Sequence, residues 1–148
     1  MSINEVIAKI YEQFGGAIQI LVEPSGADSL KMLLDNALDV VCNATVFQAE
    51  ICEISQNEAC ILLVSTLNRS LAYSSFEYMS LDESRYLAKE LINSLDADTR
   101  YFSTTCIPEN DEKSISAWYF IASNSTFESV LYCQGKNTSV LFVVTDED

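Results

Sequence analysis

Two stretches of this chain are apolar on both of their alternating faces. Across residues 115–122 one parity carries Ile115, Ala117, Tyr119 and Ile121, and the other, after Ser116 at its start, carries Trp118, Phe120 and Ala122. Residues 140–144 read Val-Leu-Phe-Val-Val, with no polar position at all. Successive side chains of a strand point to opposite faces, so a run without a polar parity must be covered on both sides. The fold therefore needs a sheet whose central strands lie between two packed layers.

The rest of the chain supplies candidates for those layers. Ser2 and Glu5 stand at capping-box spacing, followed by Ile3, Val6, Ile7, Ile10, Tyr11 and Phe14 at helical intervals, with Gly15-Gly16 as the stop. This predicts a helix over 2–14. Ile18, Ile20 and Val22 predict a short strand ended by Pro24-Ser25-Gly26. Asp28 can cap a second helix whose apolar stripe runs Leu30, Leu33, Leu34, Ala37, Leu38 and Val41. Ser80 with Glu83 forms another capping box and opens a helix over 81–94.

Between the second and third helices, β-branched residues over 45–54 predict a strand. Gln56-Asn57-Glu58 is read as a turn into a second strand over 60–67. That hairpin would place Cys52 roughly opposite Cys60, with reduced thiols preferred over a disulfide. A further strand is expected over 71–78. The C-terminal half reads as strands over 99–107, 114–123, 126–134 and 138–145, the last two joined by a turn at Gly135-Lys136-Asn137. With 148 residues and no internal repeat or linker, the chain is expected to form one α+β domain over 1–148. Its sheet should be largely antiparallel or mixed, packed by about three helices.

Charge narrows the function classes. The chain has 22 Asp and Glu against 8 Lys and Arg, a formal net charge of −14. Such a field repels nucleic acid and anionic lipid, because both interactions are driven by clustered cations. A basic protein is the favoured partner, with neither nucleic acid nor membrane expected, and the chain itself a monomer or homodimer. Glu5 stands where an export signal needs positive charge, and no apolar run approaches the roughly 20 residues that span a bilayer, so a cytoplasmic location is expected.

The catalytic inventory is thin. The chain has no histidine, which removes Ser-His-Asp and Cys-His catalysis and the commonest base near neutral pH. It has neither a glycine-rich phosphate loop nor GxGxxG, and its 4 glycines leave little material for either. The five cysteines, at 42, 52, 60, 106 and 133, match no zinc spacing and read as buried reduced thiols. No cofactor and no metal is expected, and the chain reads as a non-enzyme.

What remains suits recognition. Asp96 and Asp98 in one loop, and Glu109, Asp111 and Glu112 in another, bracket Tyr101 and Phe102. Carboxylates that steer a basic surface, with Tyr101 as an aromatic anchor, are the combination that makes interface hot spots. In overall build alone, small, acidic and without catalytic groups, the chain resembles bacterial toxin-immunity proteins. That resemblance implies an immunity or antitoxin-type inhibitor that blocks the active or nucleic-acid-binding surface of a basic effector such as a toxin nuclease. The alternatives are an acidic secretion chaperone, then a DNA-mimic inhibitor, then a carboxylate-based enzyme.

Overall fold

A computed structural model describes residues 1–37, 51–71, 73, 76–104 and 127–146. Among the described residues nine elements run in chain order: α1 (Ile3–Gln13), β1 (Ala17–Pro24), α2 (Ser29–Asn36), β2 (Cys52–Ile54), α3 (Gln56–Asn68), α4 (Leu81–Ser94), β3 (Arg100–Ser103), β4 (Phe127–Gln134) and β5 (Thr138–Asp146). The strands form a five-stranded sheet in the order β1-β5-β4-β3-β2, antiparallel at every junction. The fold is α+β, with four helices among the described residues.

β5 lies at the second position of this sheet, paired on both sides, and its two parities face different layers. Val140, Phe142 and Val144 join α1, α3 and α4 in the larger core, where Leu62, Leu63, Leu87 and Leu91 are also buried. Leu141 and Val143 join Leu33 and Leu34 of α2 on the opposite side. The apolar run at 140–144 is thus explained by burial on both faces.

Three helices begin with a serine whose hydroxyl accepts the backbone N–H three residues on: Ser2 from Glu5, Ser55 from Glu58 and Ser80 from Glu83. The third of these matches the predicted helix over 81–94, and the first shortens the predicted helix over 2–14 by a residue at each end. The second overturns a prediction. Residues 56–68 are not the return strand of a hairpin; they form α3, and only Cys52–Ile54 of the preceding stretch within the described residues is a strand. Ser55 and Glu58 make a full capping box, with the Glu58 carboxylate accepting the Ser55 N–H at 3.0 Å. α3 is buried round nearly its whole circumference, so it lacks the polar face that makes a helix recognisable.

Cys60 therefore sits on a helix and does not oppose Cys52, and neither of them nor the buried Cys133 is in a disulfide. Over 71–78 the described residues contain only an isolated bridge between Arg69 and Glu77 in place of a strand. This connection is held from below by the buried Asn68, whose amide donates to the Met79 carbonyl at 2.8 Å. The predicted strand over 114–123 and the start of that over 45–54 lie outside the described residues.

Candidate functional site

The register of the sheet sets one row of side chains across all five strands on the α2 side: Glu53, Phe102, Tyr132, Leu141 and Leu21. α2, with 8 residues, spans only about 12 Å at 1.5 Å per residue, whereas five strands cover about 19 Å. Leu33 and Leu34 cover Val130, Tyr132, Leu141 and Val143, the part of the sheet formed by β5 and β4. Beyond them the start of α2 and the aromatic end of the row enclose a groove of about 240 Å³, lined by Gly26, Ser29, Leu30, Phe102, Tyr132 and Glu53 among others.

Its floor is aromatic. Phe102 and Tyr132 stack with ring centroids 6.0 Å apart at 29°. The Arg100 guanidinium lies over the Phe102 ring, 5.2 Å from its centroid, and donates to Glu53 through Nε at 3.1 Å and Nη2 at 2.7 Å. These hydrogen bonds hold the Glu53 carboxyl below the usual carboxylate range and push the Arg100 guanidinium up. Glu53 is therefore a fixed negative charge at neutral pH, suited to accepting hydrogen bonds and not to shuttling protons.

The groove continues into an adjoining one of about 290 Å³ that shares Gly26, Ser29 and Gln134 and reaches Asp98, Arg100 and Lys136. Its walls are pinned. Ser25 Oγ donates to the Gly135 carbonyl at 2.6 Å and contacts Ser139 Oγ at 2.8 Å, while the Ser25 N–H donates to the Asn137 carbonyl at 2.9 Å. Ser29 Oγ donates to the Gly26 carbonyl at 3.1 Å and lies 3.3 Å from the Tyr132 hydroxyl. Ser29 is thus engaged in holding the loop before α2 against β4.

The residues predicted from sequence take different places. Asp98 is exposed and lines the adjoining groove. Asp96 is turned instead to the β4–β5 turn: its Oδ2 accepts the Asn137 N–H at 2.8 Å. The backbone amide of Asn137 foremost, with those of Thr138 and Lys136, holds the Asp96 carboxyl below its ordinary range. Tyr101 is only 3% exposed and faces the helical layer beside Cys133 and Cys60; burial pushes its hydroxyl up to about 12. Glu109, Asp111 and Glu112 lie outside the described residues.

Phe102, not Tyr101, is the aromatic residue of β3 that opens to the groove, together with Tyr132, Glu53 and Arg100. The alternation of the strand contains half of that signal, since one of two adjacent aromatics must face away from the core helices. The other half, the alignment of Glu53 with Phe102 and Tyr132, depends on register between segments far apart in sequence. Among the described residues no three His, Cys, Asp or Glu side chains converge as metal ligands would. No helix of the described residues is long and apolar enough to cross a membrane. No protein-family model, no curated protein and no solved structure matches this chain.

Proposed function

We propose that the protein works by binding a basic protein partner, as an immunity or antitoxin-type inhibitor that covers the active or nucleic-acid-binding surface of an effector such as a toxin nuclease. The observation that carries this reading is the groove over Phe102 and Tyr132, which joins a stacked aromatic floor to the fixed carboxylate of Glu53 and the exposed carboxylate of Asp98. An aromatic floor gives a partner side chain apolar area at low entropic cost, and rim carboxylates select for cations. The whole-chain charge of −14 supplies long-range attraction that speeds encounter with a positive surface.

The Arg100 guanidinium already lies on Phe102 and pairs with Glu53, so a partner's cation reaches Glu53 only by sharing it with Arg100 or displacing it, and Asp98 is the carboxylate exposed to such a cation. The test is titration of the proteins encoded by the adjoining genes with wild-type protein and with Phe102→Ala. The reading predicts salt-dependent binding that weakens on the order of tenfold or more in the variant, as expected for a central aromatic anchor. Equal affinity of Phe102→Ala and wild type would remove the groove from the interface.

A further inference from the structure

β1 is an outer strand of the sheet, paired with β5 on one side and with no strand of the described residues on the other. In an antiparallel ladder the N–H and C=O of one residue point to the same side, and successive residues alternate. The register from Ala17↔Thr145 to Pro24↔Thr138 continues to Ser25, whose N–H donates to the Asn137 carbonyl at 2.9 Å. The odd-numbered residues of β1 therefore bond to β5, and Ile18, Ile20 and Val22 direct their backbone groups outward. The Ile20 N–H fixes the same parity, because it donates to the Tyr11 hydroxyl of α1 at 2.7 Å.

Natural sheets blunt an open edge with short strands, lysines, prolines or bulges. β2, at the opposite edge, has only 3 residues. β1 has 8, with no Lys or Arg, no bulge in its register and a proline only at its last position. Its one charged residue is Glu23. Tyr11 is what stands at the middle of this edge, and a groove of about 280 Å³ lined by Tyr11, Phe14, Gly16, Ala17 and Ile18 among others adjoins its start.

We propose that the outer edge of β1 is a docking surface for β1 of a second copy of this chain, and that the Tyr11 hydroxyl closes it. A two-fold axis at Ile20 sets Ile18 against Val22 of the other copy and Ile20 against its own equivalent, so every outward-directed pair is apolar. In the same register Glu23 meets Ala17 and no carboxylate faces another, which lets a chain of net charge −14 pair with itself here. A basic strand finds little to select on an edge with one acid in 8 residues. The Ile20 N–H lies on the axis, so the bond to Tyr11 takes the central donor of the self-paired ladder. The surface is separate from the partner-binding groove and stands whether or not that groove is used.

Sedimentation velocity of the full chain, combined with hydrogen exchange of its amides, tests this. The wild type should sediment as a monomer, with the Ile20 amide slow to exchange and those of Ile18 and Val22 fast. Tyr11→Ala should self-associate on the order of tenfold or more tightly than the wild type, with the Ile18 and Val22 amides becoming protected. Tyr11→Phe, which keeps the ring and loses only the hydroxyl, should move in the same direction. Adding Val22→Lys to either variant should restore the monomer, since a lysine on an edge opposes strand addition. Tyr11 is 47% exposed and Val22 37%, so these changes should leave the core intact, and if Tyr11→Ala fails to fold, Tyr11→Phe and the exchange pattern decide. Folded Tyr11 variants that stay monomeric, slow exchange at Ile18 and Val22 in the wild type, or association that Val22→Lys leaves unchanged would each overturn the proposal.

Discussion

The Asp96 carboxylate accepts the backbone N–H of Asn137 at 2.8 Å, tying the end of α4 to the turn between β4 and β5. Because the folded protein holds this carboxyl below its ordinary range, its contribution to stability is complete above the unfolded aspartate value and is lost as pH falls through the lowered native value. Asp96→Asn should lower the urea midpoint at neutral pH and flatten the acid side of the stability profile. A variant with the wild-type profile would show that the contact contributes nothing.

The same turn sets a steric demand on Gly135. A Cβ there would lie 2.3 Å from the Thr138 carbonyl oxygen and 2.8 Å from Asp96 Oδ2. Gly135→Ala should therefore cost about 1–3 kcal/mol by overpacking, measured by urea denaturation.

Ser55→Ala tests the identity of α3. As the N-cap of a helix its loss should cost about 0.5–2 kcal/mol, and Glu58→Ala should fall in the same direction. In a hairpin turn neither change would have a comparable effect.

This segment also shows where the sequence was legible and where it was not. Helices with one polar face, α1 and α4, were readable from spacing and caps, and so was the β4–β5 hairpin with its turn at Gly135. Ser55 and Glu58 stood at the same spacing as the other capping boxes, but Ile61, Leu62, Leu63 and Val64 are all buried, so no polar parity or stripe separated helix from strand. Asp96 and Tyr101 were singled out by residue type, and their orientation follows from tertiary register that spacing along the chain does not contain.

At the other end of the sheet, Asp146 Oδ2 accepts from Ser70 Oγ at 2.5 Å, the Leu71 N–H at 3.1 Å and the Tyr78 hydroxyl at 3.0 Å. One carboxylate oxygen thus anchors the α3–α4 connection to the last strand. Asp146→Ala should cost on the order of 2–3 kcal/mol and raise hydrogen exchange locally over 69–79. Uniform loss of protection across the molecule would contradict a local role.

The cysteines separate by burial. Burial pushes the Cys133 thiol up to about 12, whereas Cys52 is exposed. In a Cys42→Ser/Cys106→Ser background a thiol reagent should modify Cys52 readily and Cys133 only under denaturing conditions, as mass spectrometry of the labelled peptides would show.

The central claim is that a groove of stacked aromatics and carboxylates recognises a basic partner, and calorimetric titration of the basic proteins encoded by the adjoining genes at about 50 and 300 mM salt tests it most directly. The account predicts one-to-one binding that weakens with salt and is further weakened by Phe102→Ala and by Asp98→Lys, with the fold of both variants intact. No binding at the lower salt, or binding indifferent to both substitutions, would contradict it.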